Sequence, residues 1–181
     1  MINNNIPLDV LKGSDDIRRS ATKSLGSEKV ILGLLKALED SDLFPRKNAI
    51  EILARIGSEK VIPGLLKALE DSHAGIRGRA VEALSEISSE TAILGLIKAL
   101  EDSNQYNRGN AAFFLGNIGS EKAVPELLKA LEDSSWYVRR KASFALSKIG
   151  TETAIAGLLK ALEYPDENVR NYATDALEKI G

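Results

Sequence analysis

Aromatic and basic side chains recur on one side of a predicted helix that begins near Trp136. Tyr137, Lys141, Phe144 and Lys148 are spaced by four, three and four residues, which places them on one face of an α-helix. Exposed aromatic rings and basic groups contribute much of the binding free energy at protein interfaces. This spacing therefore predicts a surface that recognises another molecule through noncovalent contacts.

Residues suited to covalent or acid–base catalysis are scarce in this sequence. The chain has no cysteine, which excludes disulfides, thiolate metal sites and a cysteine nucleophile. The single histidine, His73, falls in a predicted turn, where we expect a solvated side chain. Glu82 and Glu86 are four residues apart and could share a proton, but a solvated acidic face is the simpler interpretation. The sequence predicts no catalytic site, no metal site and no cofactor.

The charge balance restricts the class of partner. Lysine and arginine number 24 against 26 aspartate and glutamate, a formal net charge of −2, so nucleic acid is not expected as a partner. No apolar stretch approaches the ~20 residues that a membrane span needs, and the first residues lack the pattern of a signal peptide. We therefore expect a cytoplasmic protein without membrane contact.

The predicted helix belongs to a unit of 31 residues that occurs five times without insertion or deletion. The units form one continuous domain and comprise residues 27–57, 58–88, 89–119, 120–150 and 151–181. Residues 1–26 resemble a degenerate half unit, which we expect to cap the first full unit. A fixed period of this length is typical of stacked repeat proteins.

Each unit contains two predicted helices joined by a turn that begins with an aspartate such as Asp40. The first helix of the first unit has a helical pattern of apolar residues at Val30, Ile31, Leu34, Leu35 and Leu38. The second helix of the fourth unit is expected to bury Val138, Ala142, Ala145, Leu146 and Ile149. These patterns predict an all-α solenoid of five helix pairs.

The ends of the helices also carry signals. The second helices are predicted to end at Gly57, Gly119 and Gly150, because a left-handed residue at a helix end is usually glycine. The first helices are preceded by the predicted capping residues Ser27, Ser58, Ser89, Ser120 and Thr151. Pro63 and Pro125 follow five residues later, so either a capped turn precedes a helix restarted at proline or the helix is bent there.

The repeated pattern V-P-x-L-L-K-A-L-x-D, a turn, and V-R-x-x-A-x-x-A-L-x-x-I-G resembles the short HEAT-like repeats named after phycobilisome lyases. The resemblance covers residues 27–181, with a partial match from about residue 15. It implies a right-handed α-α superhelix whose second helices line a concave, ligand-facing side, and it suggests a bacterial, even cyanobacterial, source. One histidine cannot supply the paired His-Glu ligands of the iron-binding HEAT-repeat hydroxylases, so that activity is excluded.

Specificity should lie at the positions of the second helices that differ between units. Seven of the nine aromatic residues occupy such positions, which favours a binding surface over a solvated face. The predicted partner-binding residues are Phe44, Tyr106, Asn110, Phe113, Trp136, Tyr137, Arg140, Lys141, Phe144, Lys148 and Tyr172. The basic residues among them suit an acidic protein surface, a bilin propionate or a nucleic-acid strand.

One arginine recurs at the same position of every second helix, and Asn107 departs from the pattern. The recurring residues are Arg18, Arg46, Arg77, Arg108, Arg139 and Arg170. We predict that they bridge units by pairing with an aspartate near the preceding turn and do not bind a partner. Asn107 replaces a buried valine, so the third unit is expected to be looser or to have a reorganised turn.

These observations predict a non-enzymatic scaffold that binds another protein on its concave surface. The alternative is a phycobilin lyase subunit or a phycobilisome-handling factor that holds a bilin or a phycobiliprotein on the same surface. A DNA-binding HEAT protein is a third class, which would show an affinity that falls steeply with salt. Self-association through the fifth unit is a further expectation.

Overall fold

The computed structural model describes residues 28–181, and ten α-helices account for most of that part of the chain. The first helices of the units are α1 (Glu28–Ala37), α3 (Ile62–Ala68), α5 (Glu90–Lys98), α7 (Val124–Ala130) and α9 (Glu152–Ala161). The second helices are α2 (Leu43–Ile56), α4 (Ala74–Ser85), α6 (Gln105–Ile118), α8 (Trp136–Ile149) and α10 (Glu167–Ile180). The predicted all-α solenoid is confirmed, while the half unit predicted at residues 1–26 lies outside the described residues.

Short 3₁₀ turns resolve the two alternatives at the prolines. Glu59–Val61 and Glu121–Ala123 form such turns directly before α3 and α7, and each proline falls in the first turn of its α-helix. The missing N–H of proline costs nothing there, because the first N–H groups of a helix have no intrahelical acceptor. The chain therefore restarts a helix at proline and does not bend a continuous one.

The predicted helix ends are confirmed in part. The Ser58 side chain accepts a hydrogen bond from the backbone N–H of Lys60, and the Thr151 hydroxyl accepts one from Ala154 N–H, each at 3.4 Å. Ser89 and Ser120 make no such bond, so the predicted side-chain caps are wrong there. The residue predicted to cap α1 lies outside the described part of the chain.

Glycine ends three of the second helices as predicted. Gly57, Gly119 and Gly150 have φ angles of 57°, 73° and 58°, in the left-handed region that side chains with a Cβ rarely adopt. Each second helix therefore stops where the connection to the next unit must begin.

The core runs continuously between the two rows of helices. Second helices of successive units pack against each other in the order α2, α4, α6, α8 and α10. Val138, Ala142, Ala145 and Leu146 are fully buried, whereas Ile149, which was expected to be buried, is only half-buried at the end of α8. A single unit cannot cover its own apolar face, so stacking is what buries it.

The recurring arginine joins each turn to the next. Arg46 donates from its Nη1 to the carbonyl oxygens of Asp40 and Ser41, each at 3.0 Å, and from its Nε to Asp71 Oδ2 at 2.8 Å. The same arrangement pairs Arg77 with Asp102 and Arg108 with Asp133, each at 2.7 Å from Nε to Oδ2. The bridging role is confirmed. The predicted aspartate was wrong, because the preceding turn supplies carbonyl groups and the following turn supplies the carboxylate.

This series of pairs stops at Arg139. Its Nη1 still donates to the carbonyl oxygens of Asp133 and Ser134, at 2.7 and 3.1 Å. Tyr164 occupies the position that aspartate holds in the earlier turns, and the buried Nε of Arg139 has no acceptor among residues 28–181. A buried N–H without an acceptor loses its hydration and gains nothing in return. The junction between the fourth and fifth units is therefore the one that the arginine series leaves incomplete.

We expect Tyr164→Asp to stabilise this junction relative to Tyr164→Asn, by about 1–2 kcal/mol of unfolding free energy, because only the carboxylate forms a charge-assisted pair with Arg139. Asparagine matches aspartate in size, so the comparison cancels the loss of the tyrosine ring. Urea unfolding monitored by circular dichroism would measure the difference. Equal stability of the two variants would contradict this account of the junction.

The paired aspartates should make the stack sensitive to acid. Burial raises the pKa of Asp102, but hydrogen bonds from Arg77 and from the backbone N–H of Asn104 lower it further, and the net pKa lies below its ordinary value. Asp133 behaves in the same way, with Arg108 as its partner. A carboxyl whose pKa is lowered by folding stabilises the folded state above its unfolded-state pKa, and this contribution is lost as the pH falls through the folded-state pKa.

The free energy of unfolding should therefore fall when the pH drops below about 4. Asp102→Asn should be less stable than the parent protein at neutral pH and should lose less stability on acidification. Urea titrations at several pH values would measure both effects. A variant with the same pH dependence as the parent would show that the Arg77–Asp102 pair does not drive acid unfolding.

Candidate binding surface

The predicted partner-binding residues of the third and fourth units lie on α6 and α8, whose backbones approach closely. A Cβ atom added at Gly116 of α6 would lie only 2.5 Å from the Cα atom of Ala145 on α8. Such proximity requires a residue without a side chain on one helix and a small one on the other. The outward-facing side chains of α6 and α8 consequently touch each other.

Tyr137 of α8 lies across the surface of α6. A Cβ atom at Gly109 would come within 2.3 Å of the ring atom Cε1 of Tyr137, so the glycine provides the space that the ring occupies. The Tyr137 hydroxyl donates a hydrogen bond to Asn110 Oδ1 at 3.0 Å, and the Tyr106 ring packs against it with centroids 5.6 Å apart. These contacts hold the Tyr137 side chain in one orientation.

The remaining rings extend this cluster along both helices. Phe113 stacks on Phe144 with centroids 5.5 Å apart and an angle of 21° between the ring planes. Trp136 meets Tyr137 edge to face at 6.1 Å. Both arrangements fall in the range of favourable aromatic pairs, so the rings support one another as well as the helices that carry them.

Two lysines cover the rings. The Nζ atom of Lys141 lies 4.2 Å from the ring centroid of Phe113 and 5.6 Å from that of Tyr137, and Lys148 Nζ lies 5.8 Å from that of Phe144. Ammonium groups at these distances make cation–π contacts. Burial lowers the pKa of Lys141, and the nearby positive charge of Arg140 lowers it further. The aromatic cluster therefore carries positive charge directly on its faces.

We call this cluster the aromatic–cation surface. It comprises Tyr106, Asn110, Phe113, Trp136, Tyr137, Arg140, Lys141, Phe144 and Lys148. Tyr106 is 59% exposed and Trp136 57% exposed. These two large rings are thus held by neighbours on one side and are open to solvent on the other.

Phe44 and Tyr172, the two other predicted binding residues, lie away from this surface. Phe44 is on α2 and is 76% exposed, whereas Tyr172 is on α10 and packs half-buried against the core. The sequence analysis missed Phe114, which meets Phe113 edge to face at 5.7 Å. Its position corresponds to a buried alanine in the fourth unit, so the repeat pattern assigned it to the core.

Asn107 fixes α6 to the preceding unit. The side chain is 6% exposed, and its Nδ2 donates to the carbonyl oxygen of Ala74 at 3.0 Å. Gly78 provides space for it, since a Cβ there would lie 2.7 Å from Asn107 Oδ1. The expected looseness of the third unit is wrong, because α6 runs unbroken for 14 residues after its cap at Asn104.

Other polar groups serve the fold. His73 is exposed, and its Nδ1 accepts a hydrogen bond from Gly75 N–H at 3.1 Å, which caps α4. A cavity of about 200 Å³ beside α5 is lined in part by Lys98 and Asp102, which already pair with Glu70 and Arg77. Across residues 28–181, no group of three or more histidine, aspartate or glutamate side chains could hold a metal ion. No helix in the same range is long and apolar enough to cross a bilayer.

Comparison with known families agrees with this architecture. The profile for HEAT repeats matches residues 31–94 and 93–178, which together cover most of the chain. The chain belongs to the HEAT-repeat family. Among curated protein sequences, none matches this chain significantly.

Solved structures place this HEAT-repeat protein near a phycobilisome-related lyase. A chain from the complex of CpcE and CpcF of phycocyanin lyase from Nostoc sp. PCC7120 is 26% identical, with a TM-score of 0.62. The match covers 86% of this chain and 66% of that one, so the HEAT-repeat protein spans about two thirds of its relative's length. The predicted resemblance to phycobilisome-lyase HEAT-like repeats is confirmed by this likeness.

Two more distant structures share the fold alone. A designed armadillo repeat protein in complex with the peptide (KR)4 is 23% identical with a TM-score of 0.54, and the match covers 96% of this chain and 97% of that one. Human deoxyhypusine hydroxylase in complex with glycerol is 18% identical with a TM-score of 0.52, and the match covers 93% and 91%. The same stack of helix pairs thus occurs in proteins that differ widely in sequence.

The close approach of α6 and α8 leads to a test with two glycines. Gly116→Ala should destabilise this HEAT-repeat protein by about 1–3 kcal/mol, because the added Cβ meets the backbone of Ala145 and the helices must separate. Gly33→Ala is the matched control, since nothing lies within 4 Å of a Cβ there. It should stabilise α1 by about 0.5–1 kcal/mol. Thermal or urea unfolding would measure both values, and similar effects of the two substitutions would contradict the close approach.

Proposed function

We propose that this protein is a non-enzymatic scaffold that binds a protein partner on the aromatic–cation surface. The HEAT-repeat fold supports a protein-binding role. The observation that carries the proposal is the exposure of Trp136 and Tyr106, each above one half, within a cluster whose other rings are packed together. The family resemblance assigns this row of helices to the concave side of the stack.

The physical argument rests on preorganisation. The Tyr137 hydroxyl bond to Asn110 and the stacking of Phe113 on Phe144 already restrict these side chains. A partner that covers them therefore loses less conformational entropy than one that binds flexible side chains. Truncation of an aromatic residue at the centre of such an interface typically costs about 2 kcal/mol or more.

A second candidate function follows from the likeness to the CpcE and CpcF complex of phycocyanin lyase. On this hypothesis the protein is a phycobilin lyase subunit or a phycobilisome-handling factor, and the aromatic–cation surface holds a bilin or a phycobiliprotein. Flat rings suit the conjugated system of a bilin, and Lys141 and Lys148 suit its propionates. Self-association through the fifth unit remains a separate prediction.

The proposal predicts that Trp136→Ala combined with Tyr106→Ala abolishes capture of a specific partner from a lysate of the source organism. Loss of about 2 kcal/mol would weaken binding by about thirtyfold. Leu94→Ala combined with Leu159→Ala is the matched control, because these leucines are 53% and 52% exposed on the first helices α5 and α9. Mass spectrometry of the captured proteins would measure the outcome.

The control should retain every partner of the parent protein. If the aromatic variant also retains them, the aromatic–cation surface is not the binding site. A visible absorption band in the material eluted from the parent protein, absent from that of the aromatic variant, would favour the second candidate.

A further inference from the structure

Positive charge is confined to one segment of the solenoid surface. Helices α6 and α8 contain no aspartate or glutamate over their combined length. On α8, Arg140 and Lys148 are exposed and Lys141 lies over two aromatic rings. The whole chain carries a net charge of −2, so this segment differs in sign from the protein as a whole.

The neighbouring second helices limit the positive segment on both sides. Helix α4 presents the exposed carboxylate of Glu82, and α10 presents Glu167, Asp175 and Glu178, all exposed. A strand of nucleic acid that followed the row of second helices would meet these carboxylates within one unit in either direction. The charge pattern therefore fits a short acidic ligand.

The lysines of the first helices behave differently from those of the surface. Lys67 pairs with Glu39, Lys98 with Glu70, Lys122 with Glu90 and Lys129 with Glu126. By contrast, Arg140, Lys141 and Lys148 have no carboxylate partner among residues 28–181. The cations that the fold leaves without a counter-charge are those beside the exposed rings.

We infer that the aromatic–cation surface binds an extended acidic segment of the protein partner. Carboxylates of the segment contact Arg140, Lys141 and Lys148, and its apolar side chains pack on Trp136 and Tyr106. This inference rests on the proposed function, and it adds the chemistry of the partner.

The dimensions of the surface suit a short segment. Lys141 and Lys148 are seven residues apart on α8, which is about 10 Å along a helix axis. An extended chain rises about 3.3 Å per residue, so about four to six residues span both ammonium groups and the rings beside them. Carboxylates on one side of the segment then face the lysines, while side chains between them reach the rings.

The single tryptophan makes the inference directly measurable, because all tryptophan fluorescence arises from Trp136. The probe is a short peptide in which leucine alternates with glutamate, and the reference is the same peptide with lysine in place of glutamate. We expect the glutamate peptide to shift the Trp136 emission in a saturable manner. The lysine peptide should bind at least about tenfold more weakly, and added salt should weaken the glutamate complex.

Arg140→Gln combined with Lys148→Gln should weaken binding of the glutamate peptide by about tenfold or more. Both side chains are exposed, so folding is expected to be retained. Lys122→Gln combined with Lys129→Gln is the matched control, since it removes the same total charge from the first helices and should leave the affinity unchanged. Equal affinity of the two double variants would overturn the inference.

The inference also fails if the lysine peptide binds as tightly as the glutamate peptide, or if only a free bilin or single-stranded DNA shifts the Trp136 emission. Its failure is distinguishable from that of the proposed function. If the glutamate peptide does not bind but the Trp136 and Tyr106 variant still loses its captured partner, the surface binds a protein of different chemistry.

Discussion

The stack depends on one arginine that contacts two turns at once. Arg77, for example, donates to the carbonyl oxygens of Asp71 and Ser72 in its own unit and to the carboxylate of Asp102 in the next. The paired donors of a guanidinium fix direction as well as distance, which a lysine would not do. Because Asp102 also accepts from the N–H of Asn104, the carboxylate orders the turn that it joins. The spacing of successive units follows from this pair and from the apolar faces beneath it.

The binding surface follows from that spacing. Once the units are set, α6 and α8 can meet at Gly116 and Ala145 without a side chain between them, and the ring of Tyr137 fills the space above Gly109. Positions that repeat in every unit therefore build the core and the junctions. Positions that vary are left to the surface, where Phe113 and Lys141 come together from different units. Structure and recognition thus use separate sets of residues on the same helices.

The interruption at Tyr164 shows the same division from the other side. Arg139 keeps its contacts with the turn of its own unit, but its buried Nε lacks the acceptor that Asp102 or Asp133 provides in the earlier units. The apolar faces still pack, since Val138 and Ala142 are fully buried. A junction held by apolar contacts with an incomplete polar pair opens at lower free energy than the others. The fifth unit is therefore the part of the described chain that depends most on apolar packing.

The sequence by itself determined the repeat length, the helix pairs, the glycine ends at Gly57, Gly119 and Gly150, and the face on which the aromatic residues lie, because these depend on local periodicity and backbone conformation. Only the tertiary structure decided which turn supplies the aspartate to each arginine. It also decided that Tyr106, Phe113 and Tyr137 form one cluster while Phe44 stands apart. Contacts between units depend on how far each unit rotates and shifts against the next. That geometry arises from packed side chains, and a period of identical length does not contain it.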